Sequence, residues 1–316
     1  MKKTSFKLFL VIFFSFGLIE CDFNEYYEEE EDKSVKVSDS FSPPQTLGKI
    51  KDDEIDEASG LAYCRSYPNA LWTHNDSGGK CRIYLIDEQG RELGVFNLKI
   101  YNARDLEDIA IGPGPKKNIN YIYLADMGDN KARYNTKVIF RFPEPQIKKS
   151  KLPVLKNIVK DIDIIEFQYP DGKRDAETLM IDPLTKDIYI VSKREKNVHI
   201  YQLPYPQSTN KLNIPKLVGK LHFTKAVAGD ISADGSEILI KNYANIYYWK
   251  RKEGESIVKT LRKKPVRLPY KREPQGEAIA WKSDGSGYYT LSEELNKMPS
   301  VLYYYSRKEN VEVKEK

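Results

Sequence analysis

The chain has 316 residues, a mass of 36.6 kDa and a net charge of +5, with 40% apolar and 31% charged residues. That composition suits a soluble globular chain of one large or two ordinary domains, and the charge is too small to imply a nucleic-acid partner. No P-loop, dinucleotide fingerprint or zinc-ligand spacing occurs, and Cys21, Cys64 and Cys81 do not make a disulfide framework.

The first segment reads as an address. "MKKTSFKLFLVIFFSFGLIEC" opens with Lys2, Lys3 and Lys7 and continues in an apolar run too short to span a bilayer, as in a secretory signal. Cys21 after "LIE" has the place of a lipobox cysteine. It is the expected lipidation site and mature N-terminus, which would tether a monomeric protein to the bacterial cell envelope. Glu20 departs from the small residue usual before such a cysteine. Ordinary cleavage after Gly17, giving a secreted or periplasmic protein, is the alternative. Residues 21–45 are acidic, then Ser- and Pro-containing, and read as a tether.

From residue 46 to the C-terminus one domain is expected. A short pattern recurs along it: "EASGLAY", "DLEDIAI", "DAETLMI", "VAGDISA" and "QGEAIAW". Aligned on Leu61, Ile109, Leu179, Ile231 and Ile279, the copies carry Ser59, Glu107, Glu177, Gly229 and Glu277 two residues earlier. Each copy is followed by second and third strands, for example "NALWTHNDSGG" then "RIYLID", and all but the last by a weaker fourth. "TLGKI" at 46–50 resembles "LVGKL" at 217–221 and supplies the missing strand. Four antiparallel strands per unit, in units of about 52 residues, are the grammar of a β-propeller. Five blades are expected, closed by the N-terminal strand pairing with the C-terminal blade. A sixth blade could hide in "PEPQIKKSKLPVLKNIVKDID", whose Lys and Pro content otherwise reads as a loop.

The ordered set "LWTHNDSGGKCRIYLID", "DLEDIAIGPGP", "YIYLADMGDNKARY", "YPDGKRDAETLMIDPLTKDIYIVSKRE", "GDISADGSEILIKNYANIYYWKR" and "EPQGEAIAWKSDGSGYYTLSE" resembles a family of bacterial exported propeller lipoproteins. These proteins are loosely described as WD40-like or esterase-like-phytase-like. The resemblance implies the fold and export, and no particular activity.

In such a blade, the start of the first strand and the end of the second meet at one face. This places Glu57, Asp105, Glu107, Asp108, Asp175, Glu177, Asp230 and Glu277 near one mouth of the ring. Joining them are the second-strand tips: His74, Asn75 and Asp76; Asp126, Asp129 and Asn130; Lys193 and Arg194; Asn242; Glu293 and Glu294. Crowded carboxylates either bind a cation or raise one another's pKa. Oxygen-only ligands favour Ca²⁺, with Glu107, Glu177 and Glu277 as the expected ligands, though no cofactor is required. Structural pairing with Arg or Lys, or capping of backbone amides, is the competing account. Two opposed carboxylates could instead serve a cation-dependent hydrolase, either a glycosidase or a phosphoesterase. The reading with fewest requirements is a binding module for an unknown protein or polysaccharide. Trp72, Trp249 and Trp281 are expected between blades, Ser77–Gly79 in a tight turn, and Cys64 and Cys81 as unbridged, buried thiols.

Overall fold

The computed structural model describes residues 36–76, 80–100, 103–296 and 298–309. The signal segment, Cys21, the acidic run and the Ser77–Gly79 turn lie outside the described residues. The described chain forms five sheets of mostly antiparallel strands. The innermost strands are Ala58–Tyr63, Leu106–Pro113, Ala176–Ile181, Ala226–Ile231 and Ala278–Trp281. Each packs on the next, and the fifth packs on the first, so the sheets are the blades of a five-bladed β-propeller.

Closure is as the sequence predicts. Gln45–Lys49 pairs antiparallel with Val301–Ser306, so the fifth blade takes its outer strand from the N-terminal end and its other three from the C-terminal end. This removes two free edges with one contact. There is no sixth blade among the described residues. Val154–Val159, from the segment that could have held one, crosses to the first blade and pairs in parallel with Glu92–Leu98.

The innermost strands do not alternate. In the first and third blades all six residues are buried, because both strand faces meet neighbouring blades. The core is therefore a set of layers between blades. Trp72 sits between the first and second blades, edge-on to Phe96 with ring centres 5.0 Å apart. Trp249 lies between the third and fourth blades, and Trp281 between the fourth and fifth. Fully burying one such side chain contributes roughly 1.5–3 kcal/mol.

Part of the stretch expected as tether is built into the ring. The Ser38 and Ser42 amides donate to the Arg267 and Ser306 carbonyls, each at 2.8 Å. Phe41 is 1% exposed and wedges between the fourth and fifth blades, 5.2 Å from the Tyr288 ring and 5.9 Å from that of Trp281. The Arg307 guanidinium covers its face at 4.7 Å. One apolar aromatic in a polar stretch is enough to dock it. Cys64 and Cys81 are both free thiols. Cys64 is buried, while Cys81 is only partly so.

Candidate functional site

A β-bulge near the start of the innermost strands builds the mouth. In the first blade Ala58 pairs with Asn75 and Gly60 with His74, leaving Ser59 as the extra residue. The same skip leaves out Glu107, Glu177 and Val227 in the next three blades. Glu277 holds the corresponding place before Ala278 in the fifth. A bulge re-aims the extra residue's side chain out of the strand's alternation. The repeated acids are thus bulge residues turned to the ring's opening.

The bulge also corrects the alignment of the fourth unit. Val227, not Gly229, is the counterpart of Glu107. A strand buried on both faces offers apolar residues in either phase, so Ile231 could be matched two positions out. Asp230 consequently lies deep in the ring and not at the mouth. Its carboxylate accepts from the Trp281 amide at 2.8 Å and lines a small hollow with Tyr63, Arg65 and Ile111. Asp108 is likewise structural, accepting from the Leu179 and Ile109 amides at 2.8 and 2.9 Å. These two acids staple one blade to the next.

The residues following the paired second-strand ends form a second ring: Asp76, Met127, Lys193, Tyr243 and, in the fifth blade, Glu293. Together the two rings enclose a cavity of about 360 Å³, lined by Asp76, Glu107, Glu177, Lys193, Tyr243, Glu277 and Glu293, with Arg194 and Lys225 at its side. Tyr243 was not singled out from the sequence. Its offset after Asn242, the same as that of Lys193 after Ser192, is the signal that finds it.

The cavity has two chemically different walls. On one, Lys193 Nζ pairs with Glu177 Oε1 and lies 3.5 Å from Glu277 Oε1. Tyr243 donates its hydroxyl to the same Glu277 oxygen. Burial opposes ionising Glu277, but Lys193, Tyr243 and Glu293 outweigh it and hold its carboxyl below the usual value. Burial and the Glu277 charge push Glu293 up to about 10. Of the two carboxyls, Glu293 is the one whose surroundings favour the proton, and Glu277 the one whose surroundings favour ionisation. Burial would weaken the Lys193 ammonium, yet Glu177 and Glu277 raise it above the ordinary lysine range.

On the other wall, Glu107, Asp175 and Glu177 each bring one oxygen within 4.8 Å of the others, as do Asp76, Asp105 and Glu107. Glu277 belongs to neither group. Burial first, then neighbouring carboxylates, hold Glu107 well above the ordinary range. Burial also raises Glu177, against the pull of Lys193. Asp76 is pushed up to about 7 by burial and by Asp105, Glu277 and Glu57. Asp175 is held by the Asp129 amide at 2.7 Å and by Arg194 Nε at 2.6 Å. Among the described residues no donor reaches Glu177 Oε2 or Asp76 Oδ1, although both atoms are buried.

Asn130 also lines the cavity, whereas His74, Asn75 and Asp129 lie outside its wall. His74 is fully buried beside Gly60, with Nδ1 2.9 Å from the Asn75 carbonyl, and burial lowers its pKa to about 4. Asn75 donates to the Glu54 carbonyl at 2.7 Å and to Asp56 at 3.0 Å. Asp129 forms a buried pair with Lys137 at 2.8 Å and accepts from the Arg133 and Tyr134 amides, shaping the second blade's tip. No protein-family model matches the chain, and no curated protein matches it.

Proposed function

We propose that the protein is an exported propeller, lipid-anchored through Cys21, that acts as a binding module and takes a polyhydroxyl ligand, such as a polysaccharide end, at its acidic mouth. The observation that carries this is a polar cavity with buried acceptors, Glu177 Oε2 and Asp76 Oδ1, that receive no donor among the described residues. Such acceptors are costly unless something outside the chain satisfies them. Sugar hydroxyls supply donors in the required number, and Tyr243 and Lys193 offer contacts beside them. The test is retention of the full chain on purified peptidoglycan and lipopolysaccharide, compared with Asp76→Asn and Glu277→Gln. Retention that falls at least about tenfold in both variants, roughly one lost charged hydrogen bond, supports the mouth. Equal retention removes it. For the anchor, labelled palmitate should enter the wild type and not Cys21→Ser.

A hydrolase is the second reading, favoured by the Glu277–Glu293 pair. One carboxyl favours its proton while its hydrogen-bonded neighbour favours ionisation, a shared-proton dyad that can serve as acid and base toward a bound water. New reducing ends released from either polysaccharide, and lost in Glu293→Gln, would favour it over binding alone.

A further inference from the structure

We infer that Glu107, Asp175 and Glu177 form a binding site for one divalent cation, with calcium the best fit. The inference rests on the mouth being the ligand site and names one component of what it holds. Two oxygens on one calcium, each about 2.3–2.6 Å from it, lie no more than about 5 Å apart. One oxygen from each of the three carboxylates meets that limit, at 4.8 Å or less.

Acidic clusters often hold no ion, so burial and hydrogen bonding decide the matter. Glu107 and Glu177 are each 3% exposed, and water cannot screen their repulsion. Glu177 lines the cavity with its Oε2 buried and, among the described residues, reached by no donor. Among the described residues no ion pair is made by Glu107, so Lys193, which pairs directly with Glu177 and Glu277, acts on Glu107 only from a distance. Five carboxyl groups line the cavity against the three cations Lys193, Arg194 and Lys225. Asp105 adds further negative charge behind them, while Asp175 brings a carboxylate already paired with Arg194.

The chain also makes room for this crowding. Gly128 lies against the cluster, and a Cβ there would collide with Glu107 Oε1 and Asp105 Oδ2. The ligand set is all oxygen, with the His74 ring directed elsewhere, which selects a hard cation over zinc. Three carboxylates in irregular positions suit calcium, whose coordination is adaptable. Magnesium demands near-ideal octahedral geometry and usually keeps most of its waters. A calcium ion here would leave coordination positions open to the cavity, where sugar hydroxyls could complete the shell.

The experiment is calorimetric titration of the chelator-stripped full chain with CaCl₂, alongside Glu107→Gln and Glu177→Gln. Glu92→Gln, which alters the distant Asp52–Glu92 pair, is the control. One saturable site is expected in the wild type and the control. Each mouth variant should weaken it by more than the roughly 10–100-fold that outer-sphere changes cost. Glu107→Gln breaks no ion pair, so its fold in chelator, read by circular dichroism, keeps the comparison valid if Glu177→Gln unfolds. No saturable uptake up to about 10 mM, well above the weakest extracellular calcium sites, would overturn the inference. So would uptake unchanged in both mouth variants. Polysaccharide retention repeated in chelator separates the two claims: retention without calcium uptake leaves the mouth reading standing and sinks the cation alone.

Discussion

Lys193→Met is the most informative single change at the mouth. The methionine keeps the length and apolar stem of the lysine and deletes its charge. Lys193 is 12% exposed and faces Glu177 and Glu277, whose side chains are 5% and 6% exposed. Removing one partner of a buried pair costs about 3–5 kcal/mol, because the other charge is left without compensation. Here two carboxylates lose their partner, but the adjoining cavity gives water some access, so the expected loss at pH 8 is near 3 kcal/mol. Both carboxyls should then shift upward, since their charge-stabilising neighbour is gone. An acid whose pKa is raised on folding contributes stability at low pH and loses it as pH rises through the folded value. The loss should therefore shrink to about 1 kcal/mol or less at pH 5. Lys193 itself stays protonated across this range and adds no slope. Urea midpoints of wild type and variant at pH 8 and pH 5 give both numbers. A loss equal at the two pH values, or below about 1 kcal/mol at pH 8, would refute the electrostatic account of this wall.

Three further outcomes are expected. Phe41→Ala should cost about 3–5 kcal/mol in urea unfolding, the usual range for a buried aromatic, while an effect under about 1 kcal/mol would mean that residues 36–45 only rest on the ring. His74, held to about 4 by burial, should show no imidazole titration by NMR between pH 5 and 8; an inflection near 6.5 would place it in water. In a Cys21→Ser chain at pH 8, maleimide should label Cys81 and spare Cys64, whose thiol is buried and pushed up to about 12. Equal labelling would contradict the packing between the first two blades.

The fold was legible because a propeller repeats one supersecondary unit, and "DLEDIAI" or "DAETLMI" marks the innermost strand each time. The N-terminal "TLGKI" could be assigned to the last blade because that blade lacked a fourth strand of its own. What stayed hidden depends on packing over long sequence distances. Val154–Val159 leaves the second blade to join the neighbouring first one, and nothing local in "VLKNIV" encodes that partner. Phe41 gives no periodicity, only one ring that fills a gap. The bulge that aims Glu107 and Glu177 inward is a pairing irregularity with no residue signature, and without it the fourth unit was read two residues out of phase. His74 was expected at the mouth with Asn75 and Asp76, yet its ring turned into the space left by Gly60.

The account's central claim is that the mouth acids are held together for something outside the chain, at a cost to the fold. The melting temperature of Glu107→Gln in chelator at pH 8 tests it most directly. Glutamine keeps the shape and removes a carboxyl whose ionisation burial and its neighbours oppose, so the variant should melt higher than wild type. A gain of about 1 kcal/mol corresponds to roughly 2–4 °C for a domain of this size. Saturating calcium should reverse the order, because only the wild type gains the ligand's stabilisation. A variant that melts lower than wild type in chelator would contradict the claim and make Glu107 part of the scaffold.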